Sequence, residues 1–114
     1  MRMAYDHDLA GRMRAALSFE DGIAEKSMFG GRAFLKDGHL LGSASSRGAM
    51  MLRVNPDDGD RLVTGGLAEP FAMHGRELRG WLLISEDAIE TEAALTSMLS
   101  LSLAFVASLP PKRR

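Results

Sequence analysis

Four side chains in this sequence are suited to holding an anion: Arg53, His74, Arg76 and Arg79. A guanidinium presents a planar fork of N–H donors that meets a carboxylate or phosphate on two bonds at once. His74 and Arg76 flank Gly75 in what reads as a turn, and a solvated polar turn is the simpler account of both. Trp81, the only tryptophan, opens the apolar run Trp81-Leu82-Leu83-Ile84. It reads as a core or interface anchor; exposed beside Phe71 and Met73, it would mark a binding face. Arg53, His74, Arg76, Arg79 and Trp81 are therefore the candidate ligand- or partner-binding residues.

Other chemistries find little support. Gly30-Gly31 could cradle a phosphate, but phosphate loops lead into a helix and here a strand continues. Strand glycines mark a bulge or a close backbone approach instead. His7, His39 and His74 are scattered, with no His-x-His or His-x-x-x-His spacing, so no metal site is expected. The chain has no Cys, which excludes disulfides and thiolate chemistry. Ser43, Ser45 and Ser46 lack a nucleophile motif and an evident base. Asp57-Asp58 and Glu86-Asp87 are explained by helix N-termini, where free N–H groups favour carboxylates. No catalytic residue and no cofactor is expected. The basic end Lys112-Arg113-Arg114 reads as a solubilising tail.

These residues are carried by elements that the sequence punctuates clearly. Asp6 to Leu17 reads as a helix, with Leu9, Met13, Ala16 and Leu17 on one face and Arg12 and Arg14 on the wet side. Lys26 to Val54 reads as a meander of three strands. Met28 to Leu35 is the first, interrupted by glycines. Asp37-Gly38 makes a hairpin turn, because both central positions there need φ > 0. His39 to Ala44 returns, and Met50 to Val54 follows. Asn55-Pro56-Asp57-Asp58 opens a second helix that stops at Gly65-Gly66. Two strands then flank the His74-Gly75-Arg76 turn. The alternating run Leu99 to Leu103 sits inside about twenty residues without a breaker, too long for a strand. Leu95 to Leu109 is therefore read as a helix ended by Pro110-Pro111, with Phe105 as a core ring on its apolar face. The order α-βββ-α-ββ-α describes an α+β domain. Its antiparallel sheet of about five strands is covered by helices on one face.

On these residues the chain resembles the N-terminal domain of TfoX/Sxy-type competence regulators of bacteria. The matching pieces are Met28-Phe29-Gly30-Gly31 with Phe34, the Gly38 and Gly42 spacing, Leu52-Arg53-Val54, Gly75-Arg76 to Gly80-Trp81, and Ala104-Phe105 through Pro111-Lys112. Met28, Phe29, Gly30, Gly31, Gly75 and Gly80 serve as signatures of the fold. The resemblance implies an α+β fold and a regulatory role without a catalytic set. Competence regulators of this type carry a second, helical domain; this chain ends at Arg114, and a competence role is expected to transfer only weakly.

With 114 residues the chain fits one domain over 1–114, with 110–114 expected to trail into solvent. Its net charge of −1 supplies no basic field for nucleic acid or an anionic membrane, so specific DNA binding is not expected. No membrane-length apolar run or signal peptide is visible, which fits a cytoplasmic protein. Eight Met and a very apolar last helix suggest surface left to cover, as in a homodimer. The expectation is a small regulatory or protein-interaction module. A small-anion or metabolite-binding protein, or weak enzyme, using the Arg/His cluster is the alternative. A nucleic-acid-associated protein is the second alternative.

Overall fold

The computed structural model describes residues 6–28, 31–45, 49–73 and 75–110. The first helix, α1, spans His7–Ala16. Asp6 begins it, its carboxylate accepting from the Leu9 N–H at 3.0 Å and meeting one donor that a helix start leaves unpaired. Four strands follow: β1 (Ile23–Met28), β2 (Gly31–Lys36), β3 (His39–Ala44) and β4 (Met50–Arg53). The chain then forms α2 (Pro56–Thr64), β5 (Ala68–Met73), β6 (Arg76–Ile84), a 3-10 turn (Glu86–Ile89) and α3 (Glu92–Ala107). The six strands make one antiparallel sheet in the order β1-β2-β3-β4-β6-β5.

The α+β architecture is the one the sequence implies, with one strand more. That strand is β1, which pairs with β2 from Ile23↔Lys36 to Met28↔Gly31. Met28 thus closes β1 and Gly31 opens β2, where the sequence reads one interrupted strand. Phe29 and Gly30 lie outside the described residues. Gly31 lies so close to β3 that a Cβ there would collide with the Ala44 carbonyl. Asp37 and Gly38 take φ of 51° and 87°, as the hairpin turn demands. The last helix stops at Ala107 with Ser108 as its cap, so Leu109 lies beyond it. Pro110 is the last described residue; its carbonyl lies 2.7 Å from His39 Nε2. Residues 111–114 lie outside the described residues.

The main core lies between one sheet face and the helices α1 and α3. Phe34, Leu41, Met50, Leu52, Leu82 and Ile84 from the strands meet Leu9, Met13, Leu95 and Leu99 from the helices. Phe34 is fully buried and is the largest side chain there. Phe105 belongs to neither apolar cluster and is only half-buried, because it caps an arginine at the rim of the sheet. A bulge in β3 shapes this core. Leu35 pairs with Leu40 and Phe34 with Gly42, so Leu41 is an extra residue in the ladder. Its buried carbonyl accepts a hydrogen bond from Ser102 Oγ of α3 at 3.0 Å, which explains a hydroxyl at the centre of an apolar helix.

Both α1 arginines, expected on the wet side, tie the helix to other elements. Arg12 donates to Glu92 Oε2 at 3.1 Å and to the Ile89 carbonyl at 2.6 Å. Arg14 grips Glu25 of β1 through two bonds of 2.6 and 2.8 Å, and Arg32 of β2 reaches the same carboxylate at 3.1 Å. The Arg14 bonds first, with help from Arg32, hold the Glu25 carboxyl down at about 2, below its ordinary 4.5. A lowered folded-state pKa contributes stability that is complete above about 4.5 and is lost as pH falls toward about 2. Solvent reaches this cluster, so the contribution is roughly 1–2 kcal/mol, screened below the full linkage value. Urea unfolding of Glu25→Gln should show that loss at pH 7 and a flatter stability curve between about pH 5 and pH 2.5 than the parent.

Candidate functional site

The second face of the sheet carries no helical residue in its apolar cluster. Ala33, Leu40 and Met51 are buried at its centre. Met28, Leu35, Phe71 and Trp81 are partly buried around them. Strand alternation explains the division: Met50 and Leu52 face the helices, while Met51 and Arg53 face the other way. The same period puts Leu82 and Ile84 in the main core and Trp81 and Leu83 opposite. A two-sided apolar pattern on β4 and β6 is what a sheet needs when both faces meet something.

Arg53 stands at one rim of this face. It pairs with Trp81 across the β4–β6 ladder. Its guanidinium carbon lies 5.2 Å from the Trp81 ring centroid and 5.2 Å from that of Phe105 on α3. One planar cation is therefore held between two rings, one from the sheet and one from the helix layer. No carboxylate meets Arg53 among the described residues. Its guanidinium therefore rests against rings rather than against a carboxylate.

Arg79 and Arg76 have other surroundings. Arg79 is exposed and already neutralised, with Asp60 Oδ2 at 2.8 Å and Asp57 Oδ1 at 3.5 Å. Asp60 first, and Asp57 after it, raise its pKa further above the ordinary arginine value. Arg76 is exposed at the start of β6, opposite Met73 in the ladder. His74 lies outside the described residues. Gly75 turns the β5–β6 hairpin with φ of 77°. Of the four anion candidates read from residue types, the three described ones are a stacked Arg53, an ion-paired Arg79 and a solvated Arg76.

A second bulge shapes a cleft beside α2. Pro70 pairs with Leu82 and Ala72 with Glu77, so Leu78 to Trp81 all lie opposite Phe71. The loop this creates in β6 rests on α2. Gly80 sits there at φ of 84°, and its carbonyl accepts from the Val54 N–H at 2.7 Å. Between α2 and the bulge lies a cleft of about 420 Å³, lined by Val63, Pro70, Leu78 and Trp81 with Asp60 and Arg79. Its arginine is the one already bound to aspartates, and Arg53 does not line it.

Ser43 is buried in the sheet, and Ser45 Oγ donates to the Ala49 carbonyl at 2.7 Å. Ser46 lies outside the described residues. Asp57 and Asp58 occupy the first turn of α2, and Glu86 and Asp87 that of the 3-10 turn. Among the described residues no three His, Asp or Glu gather as metal ligands. Nor is any described helix long and apolar enough to cross a membrane.

Sequence reasoning found Trp81 and Arg53 but not the surface they border. Residue types alone do not reveal Lys26, Ala33, Leu35, Leu40 and Met51 as site residues; the strand period of β2 and β4 carries a signal for Ala33, Leu35 and Met51.

Comparison with curated proteins gives no match. Comparison with family models matches the TfoX N-terminal domain over residues 15–106. That match runs from the end of α1 through α3 and includes both sheet faces, Arg53, Trp81 and Phe105. On this coverage, the chain belongs to the TfoX N-terminal domain family.

Proposed function

We propose that this domain is a non-catalytic regulatory module that works by binding a protein partner through the helix-free face of its sheet. The observation that carries the reading is the apolar cluster of Met28, Leu35, Phe71 and Trp81 around Ala33, Leu40 and Met51, to which no helix contributes. Its accessible residues are of types that interfaces favour: Met28, Phe71 and Trp81 around the buried centre, with arginine at the rim. Family membership supports a regulatory setting, and a cytoplasmic site and a competence-type circuit are part of the proposal. Binding of a small anion or metabolite is the weaker reading, because the cleft beside α2 holds an arginine already paired with aspartates. Specific DNA binding is weaker still, since no described helix presents a basic face and the chain's net charge is −1.

The test is affinity capture from native extract with three versions of the full chain. The parent and Ser97→Lys, which changes an exposed position on α3, should retain the same partner. Phe71→Ser should lose it while keeping its far-ultraviolet dichroism. Equal capture by Phe71→Ser would remove the helix-free face from the function.

A further inference from the structure

The charges of this domain are divided between its two sides. Arg12, Arg14, Arg32, Lys36, Arg61 and Arg79 each meet a carboxylate within the chain. Lys26, Arg53 and Arg76 are the described lysines and arginines that meet none. Register places all three on the helix-free face. Lys26 pairs with Ala33, and Arg53 with Trp81, both in its apolar cluster. Arg76 pairs with Met73, two residues along β5 from Phe71 of the same cluster. The one described strand carboxylate on that face is Glu69, opposite Leu83. Glu25 and Glu77 fall on the other face, opposite Phe34 and Ala72. The remaining described acidic residues belong to the helices, turns and loops. Among the described residues, the cations without a carboxylate therefore gather on the face that carries the second apolar cluster.

We propose that the occupant of this face is an acidic, apolar segment of a partner protein, its Asp or Glu side chains meeting Lys26, Arg53 and Arg76 while its apolar residues cover Met28, Leu35 and Phe71. This rests on the interaction reading above and names the chemistry of the partner. The ring centroids of Trp81 and Phe105 both lie 5.2 Å from the Arg53 guanidinium carbon, and contact with two rings lowers the ordering cost of a bidentate bond to a carboxylate. A nucleic acid fits less well. Its bases need open aromatic faces, whereas Arg53 already stacks on Trp81 and the centre of the patch is Ala, Leu and Met. A second copy of the chain fits less well too, because each copy brings three unmatched cations and one carboxylate to the same contact.

The experiment selects random displayed peptides on the immobilised full chain, and then titrates enriched peptides by the fluorescence of Trp81, the only tryptophan. Enriched peptides should interleave Asp or Glu with apolar residues. Their affinity should fall about tenfold between low salt and about 0.3 M salt, as exposed charge pairs are screened. Lys26→Gln with Arg76→Gln, both exposed positions, should weaken binding roughly fivefold to tenfold with unchanged thermal unfolding. Arg53→Gln should weaken it at least as much. Enriched peptides with no acidic bias would overturn the charge assignment and leave the interaction face standing. No enrichment at all would overturn both. Tighter binding of an oligodeoxythymidine than of any acidic peptide would hand the face to nucleic acid. A concentration-dependent dimer mass abolished by Phe71→Ser would hand it to a second copy.

Discussion

Gly80→Ala is expected to destabilise the domain by about 2–5 kcal/mol, the sum of left-handed backbone strain and a steric clash. Gly80 has φ of 84°, where a Cβ meets the neighbouring carbonyl. The space is also taken: a Cβ there would stand 2.6 Å from the Val54 carbonyl oxygen. Relief by moving Gly80 outward breaks the 2.7 Å bond from the Val54 N–H to its own carbonyl. The two penalties therefore have no shared escape. Chemical denaturation should give a lower midpoint with the slope unchanged, because the native compactness is kept. An effect below about 0.5 kcal/mol would mean that the β6 bulge rearranges freely, and the cleft beside α2 would then lose its fixed shape.

Phe34→Ala should cost about 3–5 kcal/mol, the usual range for emptying a buried aromatic site. The ring is fully buried between the sheet and the helices, with Leu41, Leu52 and Met13 in the same cluster. Phe105→Ala should cost about 1–2 kcal/mol, since that half-buried ring loses partial burial and one contact with a cation. The pair separates two accounts of the last helix. Comparable losses would bring Phe105 into the core, where its position among Leu99, Ser102 and Val106 on the helix would put it by periodicity alone. The smaller loss fits a ring at the end of the sheet that clamps Arg53 against Trp81. Equilibrium unfolding of both variants under identical conditions gives the comparison.

The punctuation of this fold was readable because each stop has a local cause. Asp37-Gly38 turns the β2–β3 hairpin through two left-handed residues. Asn55 accepts from the Asp57 N–H at 2.8 Å and Thr91 from the Ala94 N–H at 3.0 Å, so both helix starts follow from capping chemistry. The edge strand β1 was not readable as a strand, and its sequence shows why. Ile23-Ala24-Glu25-Lys26 puts a carboxylate on the inward side and a cation on the other, against the usual alternation. Glu25 is tolerated there because Arg14 and Arg32, distant in sequence, complete its hydrogen bonds.

The candidate site was legible in part for a similar reason. Residue type nominates an arginine as an anion receptor, but availability depends on what already holds it. Asp57 and Asp60 lie one helical turn apart on α2 and claim Arg79. Nothing in the string Arg76-Glu77-Leu78-Arg79 reveals that, since the aspartates belong to another element. Arg53 remains available because its neighbours are rings rather than carboxylates, a matter of which strand pairs with β4.

The Arg12 contacts bear on how the domain is made as well as how it stands. Arg12 is in the first helix, and the carbonyl of Ile89 that it holds is 77 residues later. The strand that completes the sheet beside β4 is β6, supplied after α2 and β5 have intervened. On the ribosome, then, α1 emerges well before its seat is complete, because the residues that bury Leu9 and Met13 include Leu95 and Leu99 of α3. Until α3 has left the exit tunnel, the nascent meander keeps its helix-facing side uncovered. That interval exposes Phe34, Leu41 and Leu52 to whatever waits at the tunnel mouth, and the domain becomes a closed object only once α3 has docked.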